Sequence, residues 1–243
     1  YGLSPQGGNF RVCNYLRRGT AAAEGFPAVF CNCSYCREAR RWGGKNIRTR
    51  SQTLINDDLL IDLPADTYSH FLQNGICGDT IRYLLITHSH ADHLYPQELE
   101  MRRGPFAHNV RAPMLDVYCG RGAYDAICMA IPQPRRFRVH LLHPYEQVTV
   151  GNYKVIPLPA RHFEGDGALI YIIKGDKTIL YAHDTGFFYN EVLDYIEKEQ
   201  IHFDFVTLDC TNIDIPIADD GTHMGLDNIA RLIKRLETIG AVD

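Results

Sequence analysis

The chain has 243 residues, a net charge of -4, 45% hydrophobic and 22% charged residues, which suits a globular protein with a sizeable core and excludes one held on nucleic acid or anionic membrane by bulk charge alone. No window approaches the roughly 18 to 20 continuous apolar residues that span a bilayer, and the first residues lack the apolar core of a signal peptide, so a cytoplasmic protein with no membrane association is expected. Neither an internal repeat nor a low-complexity tract breaks the chain, so one domain over residues 1–243 is expected.

The first chemical signal is "CNCSYC", which places Cys31, Cys33 and Cys36 at a spacing that suits one metal better than a network of disulfides. Cys13, Cys77, Cys119, Cys128 and Cys210 are scattered and are expected as buried free thiols. "TLIN" and "LLIDL" form a hairpin around Asp57 and Asp58, and residues 65–75 form a helix closed by Gly75. "IRYLLIT" reads as a strand buried on both faces. After it, "PQELEMRRG" can form a helix that admits Pro96 only in its first turn.

"MLDVYC", "FRVHLL", "EQVTV" and "YKVIPLP" read as strands, the last two joined at Gly151 and Asn152. Residues 168–184 make a hairpin around "KGDK", residues 191–200 an amphipathic helix, residues 203–210 a buried strand and residues 225–240 a final amphipathic helix. Two groups of strands with helices between and after them predict an α/β architecture of two facing sheets with helices outside, leaving strand ends free to carry a site.

"ITHSHADH" then draws the eye, because it sets three histidines and an aspartate at the end of a buried strand. His88 and His90 are two apart and project alike from an extended strand end, with Asp92 and His93 in the turn that follows. Imidazoles with a carboxylate suit zinc, manganese or iron, whose identity ligand types do not decide. A lone loop histidine would read as solvated, whereas this density reads as a metal site. His162 in "PARHFEG" and Asp184 in "YAHDTG" repeat the arrangement of a polar ligand directly after a strand.

"HSHADH" resembles the H-x-H-x-D-H signature of the metallo-β-lactamase fold, and "RH" and "AHDTG" resemble its next two metal motifs in order and approximate spacing. The resemblance runs from "GTAAAEGFP" to the last helix and implies an αββα four-layer sandwich with two divalent metals at a sheet edge. By motif position, His88, His90 and His162 would bind one metal, Asp92 and His93 the other, and Asp184 would bridge them. Two cations about 3.5 to 4 Å apart would acidify a bridging water to hydroxide and clamp substrate oxygens.

"CNCSYC" resembles C-x-C-x-x-C in a narrower branch of that fold, that of the cyclic phosphodiesterase of the C-P lyase pathway, which implies that Cys31, Cys33 and Cys36 hold a structural zinc. In the same branch a histidine in an "H-M" setting acts on the phosphate, so His223 in "THMG" joins Asp92 as a catalytic candidate; read from the residues alone, His223 is a polar residue before the last helix with Thr222 as its cap. Members carry a further ligand histidine after one more strand and another near the C-terminus that completes the zinc site. No histidine follows His223 here, so we expect the sequence to stop short of the natural C-terminus.

The expected function is a metal-dependent phosphodiesterase acting on a small cyclic phosphate or nucleotide-like substrate. The alternatives are a tRNase Z-like nuclease, a lactonase and a non-hydrolytic cofactor-biosynthesis protein of the same fold. Nucleic acid is a less favoured partner because no insertion resembles an RNA-gripping arm. A homodimer is the common default. Arg37, Arg40, Arg41, Lys45, Arg48 and Arg50 offer either a phosphate-attracting rim or a solvated face.

Overall fold

The computed structural model describes residues 12–13, by backbone alone, and residues 25–243. The first residues, where no leader is expected, and the Cys13 side chain lie outside them. One sheet holds β1 (Val12–Cys13), β2 (Thr53–Ile55), β3 (Leu59–Ile61), β4 (Tyr83–Ile86), β5 (Leu115–Cys119) and β6 (Phe137–Leu141), paired in chain order. The other holds β7 (Val148–Val150), β8 (Tyr153–Pro159), β9 (Leu169–Lys174), β10 (Thr178–Ala182) and β11 (Phe205–Leu208), in the order β11-β10-β9-β8-β7.

Alternation along each strand sorts its side chains between two cores. From β4, Leu85 enters the apolar layer between the sheets while Leu84 and Ile86 face outward. From the second sheet, Val155, Tyr171, Ile173 and Tyr181 meet Leu85 in the middle layer, and Ile156, Ile170, Ile172 and Leu180 point the other way. Each fully buried aliphatic side chain contributes on the order of 1.5–3 kcal/mol.

Five helices were placed by the chain among the described residues: α1 (Ser34–Trp42), α2 (Thr67–Gln73), α3 (Arg121–Ala130), α4 (Asn190–Lys198) and α5 (Leu226–Thr238). Ala123 and Ile127 of α3 cover the outer face of the first sheet. Val192, Leu193 and Ile196 of α4, with Leu232 and Leu236 of α5, cover that of the second. Helix, sheet, sheet and helix layers make the expected αββα sandwich. No helix among the described residues is long and apolar enough to cross a membrane.

Several expectations need correction. Residues Pro96–Arg102 form a 3-10 helix rather than an α-helix, with Pro96 in its first turn as sterics require; buried Leu99 and the Arg102 guanidinium, which donates to the carbonyls of Gly78, Ile81 and Ala112, hold it down. Strand β11 is not buried, because it is the sheet's edge and Phe205 is 41% exposed. Of the scattered cysteines, Cys119 is buried, Cys210 is half-buried, and Cys77 and Cys128 are exposed.

The arginines around "CNCSYC" have local partners: Arg37 donates to the Asn32 carbonyl, Arg40 to that of Ala28, Arg41 pairs with Glu38 and Arg50 with Asp66.

Candidate metal centre

Strands β3 and β4 are parallel, as are β10 and β11, and two antiparallel steps through β9 bring β8 into the direction of β10. Their carboxyl ends therefore open on one edge, where Leu169 N–H donates to the Thr87 carbonyl across the sheets. His88, His90, Asp92 and His93 follow β4, His162 follows β8 and Asp184 follows β10.

The chain after β4 forms the expected turn: the N–H groups of His93 and Leu94 both donate to the His90 carbonyl, and the Leu63 N–H donates to that of His93. This turn folds the four residues back over the sheet edge. The ligand nitrogens of His88, His90 and His162 lie within 4.8 Å of one another, as do ligand atoms of His88, His93 and Asp184. His162 Nε2 is 3.2 Å from His90 Nδ1. His93 Nε2 is 3.0 Å from Asp184 Oδ2 and 3.5 Å from Asp92 Oδ2.

The protons can be placed from the hydrogen bonds. Thr87 Oγ1 donates to Asp62, which leaves it to accept from His88 Nδ1. His88 Nε2 is then a bare lone pair, and it is buried without any hydrogen-bond partner. An orphaned imidazole nitrogen facing other imidazoles and a carboxylate is costly unless a cation completes it, so the donor set fits a divalent metal. Burial, helped by the neighbouring His93, keeps His88 neutral far below the usual imidazole range. Burial likewise lowers His162, whose Nδ1 donates to the Thr222 carbonyl.

His93 behaves differently. Burial disfavours its charge, but the carboxylates of Asp62 and Asp184 outweigh that and push its pKa well above the ordinary value. Asp184 is held ionised against its burial, chiefly by His93. Asp184 at φ 48° and Asp62 at φ 62° both occupy left-handed backbone. Such conformations persist in non-glycine residues where the surroundings over-determine them, as at binding sites.

Three supporting carboxylates escaped the sequence reading. Asp62 accepts from Thr87 N–H, Thr87 Oγ1 and His93 Nδ1, the last at 2.7 Å. Asp209 accepts from His223 Nδ1 at 2.7 Å and from the N–H groups of Thr185, Thr211 and Met224. Asp166 accepts from both the N–H and the hydroxyl of Ser89, which lies between His88 and His90, and its carbonyl accepts from Gly122 N–H. Asp62 and Asp209 directly follow β3 and β11, so the signal that singled out His162 and Asp184 could also have found them.

His183 escaped as well; buried between Ser51 and Thr207, it is lowered to about 4 by that burial.

Asp166 thus latches the His162 loop to the His88–His93 turn. Asp166→Ala is expected to weaken metal binding by about 10- to 100-fold, in line with other supporting groups around metal ligands, while the fold persists. Metal titration alongside circular dichroism checks this, and an unchanged affinity would show that the loops hold their register without the latch.

His223 is brought to the same cluster, with ligand atoms of His162, Asp184 and His223 within 4.8 Å of one another. Thr222 does not cap the helix that follows: Gly225 caps α5, and Asn228 Oδ1 accepts from the cap N–H. Burial opposes the charge of His223, yet the Asp209 hydrogen bond raises its pKa above the usual value.

Cys31, Cys33 and Cys36 also converge, their sulfurs within 4.8 Å of one another. Cys33 caps α1 by accepting from Cys36 N–H, which with Cys31 lowers its pKa to about 7 and favours the metal-binding thiolate. Burial raises Cys36 instead. Among the described residues no fourth side chain joins this group.

A four-layer sandwich with histidines and aspartates gathered along one sheet edge is the metallo-β-lactamase fold. The chain belongs to the β-lactamase superfamily, whose domain matches residues 66–242.

Solved structures agree on the fold. A diphosphatase from the PhnP family is 20% identical over 91% of this chain and 80% of that one, with a TM-score of 0.68. YhfI from Bacillus subtilis, a metallo-β-lactamase fold protein, is 17% identical over 90% and 80%, with a TM-score of 0.61. The short form of human tRNase Z is 15% identical over 78% and 83%, with a TM-score of 0.57. No curated protein matches the chain.

Proposed function

We propose that the protein is a metal-dependent phosphodiesterase acting on a small cyclic phosphate or nucleotide-like ester. The observation that carries this reading is the His223–Asp209 pair beside the histidine–aspartate cluster. An alkoxide leaves phosphorus poorly unless it is protonated, and a histidine kept charged by a buried carboxylate is a suitable acid. Two structural neighbours, a diphosphatase and a tRNase Z, support chemistry at phosphorus over lactone opening.

In this proposal His88, His90 and His162 would hold one divalent metal and Asp92 and His93 the other, with the Asp184 carboxylate available to both. Bound there, zinc, manganese or iron would acidify water and offset the charge that develops on phosphoryl oxygens. The chain's own groups do the rest. Asp62 and Thr87 fix the tautomers of His93 and His88 so that Nε2 of each faces the cluster. His223 would deliver its Nε2 proton to the leaving oxygen as the P–O ester bond breaks and a water oxygen bonds to phosphorus, and the proton that water loses restores the imidazolium; a cyclic phosphate opens to one phosphomonoester carrying the freed hydroxyl, and an acyclic diester gives a phosphomonoester and an alcohol.

Cys31, Cys33 and Cys36 would supply three ligands for a separate structural zinc.

The test is metal analysis of the reconstituted protein together with turnover of bis(p-nitrophenyl) phosphate, a cyclic nucleotide, a lactone and a β-lactam. Phosphodiesters alone are expected to turn over, and zinc content is expected to fall in Cys36→Ser with the active-site metals retained. Ready lactone hydrolysis with both phosphodiesters untouched would overturn the reading.

A further inference from the structure

Beside the cluster lies a cavity of about 510 Å³ that shares His162 as a wall. Its size falls within the range that takes a drug-sized or nucleoside-sized ligand. Arg102, Phe106 and Val110 border a separate groove against α2. The site cavity is instead framed by the start of α3, the loop after β6, the His162 loop and Tyr189.

Three features give the cavity a chemical character. Phe163 packs edge-on against both His90 and His162, with ring centroids 4.8 and 5.0 Å away, yet remains 57% exposed. An aromatic ring is thus fixed at the cavity with much of its surface uncovered. Tyr189 is pinned by the Arg161 guanidinium, 4.0 Å from its ring centroid, which itself donates to the Phe187 carbonyl. Around these rings the lining is mainly aliphatic; besides His162 it carries Arg121, which pairs with Asp125, and His143 and Glu164.

An aliphatic and aromatic body with both donors and an acceptor is what a nucleobase requires, because its faces are apolar and its edges carry both kinds of hydrogen-bonding group. A simple alkyl group would leave His143 and Glu164 at the cavity rim without use.

We infer that this cavity is a nucleoside subsite: it holds the base and sugar of a mononucleotide ester whose phosphate lies at the histidine–aspartate cluster, with the base against Phe163. The inference rests on the phosphodiesterase reading for the position of the phosphate, but equilibrium binding tests it separately. The probes are adenosine 5′-monophosphate and ribose 5-phosphate, titrated calorimetrically into the metal-loaded protein. The nucleotide is expected to bind at least about fivefold more tightly, the low end of one base stacking on an aromatic ring.

Phe163→Ala should remove most of that preference, and His143→Trp, which narrows the cavity from its exposed rim, should do the same by exclusion. Circular dichroism and metal content show that each variant is intact. In parallel, kcat/KM is compared for methyl p-nitrophenyl phosphate and thymidine 5′-(p-nitrophenyl phosphate). Equal binding of the two probes, or a nucleotide preference untouched in both variants, overturns the subsite. A nucleotide preference that depends on Phe163, with no ester cleaved, would sustain the subsite and overturn the phosphodiesterase reading instead.

Discussion

Asp62→Ala is expected to be the most damaging single substitution outside the metal ligands themselves, costing about 3–5 kcal/mol of stability and 10- to 100-fold in metal affinity. The carboxylate is fully buried and answers three donors at once: Thr87 N–H, Thr87 Oγ1 and His93 Nδ1. Alanine would strand all of them away from water, and His93, whose Nδ1 donates to Asp62, would lose its orientation toward Asp92 and Asp184. Asp62→Asn keeps one acceptor oxygen and should be milder on stability. Urea unfolding and metal titration of both variants check this; a loss below about 1 kcal/mol in Asp62→Ala would mean that the network is not what holds the turn.

His223→Ala is expected to lower kcat on a phosphodiester by about 10²- to 10⁴-fold, the usual contribution of a positioned acid, with metal content unchanged. Loss of a metal instead would make His223 a ligand. The partner test is Asp209→Asn. Because Asp209 raises the pKa of His223, the acid stays charged to higher pH in the native protein, and activity should fall as pH rises through that raised value. Without the carboxylate's charge the pKa drops, so the alkaline limb of the kcat profile should move to lower pH. A limb that stays in place assigns it to another group.

Much of the fold was legible because period-two alternation and turn chemistry are local. The hairpin at residues 168–184 and the joint at Gly151 and Asn152 could be read from neighbours alone, as could both amphipathic helices that cover the second sheet. Helices α1 and α3 were not read: the first is rich in arginine and begins at the cysteines, and the second carries Gly122 and a short apolar face. The candidate ligands stood out because histidine is conspicuous after an apolar strand. Asp62, Asp166 and Asp209 did not, because their meaning lies in partners far away in sequence: an aspartate after a strand is an ordinary turn residue until the chain folds a Thr87, a Ser89 or a His223 onto it.

The division of the ligand set between two sheets has one more consequence. His88, His90, Asp92 and His93 hang from one layer, and His162 and Asp184 from the other, joined at this edge by the Leu169–Thr87 backbone bond. A cation shared between them would act as a clasp on the sandwich. Because it would bind only the folded form, it would shift the folding equilibrium by mass action, reaching about 4 kcal/mol at a thousandfold excess over its dissociation constant. Ion supply would then govern how long the protein lasts as well as whether it turns over.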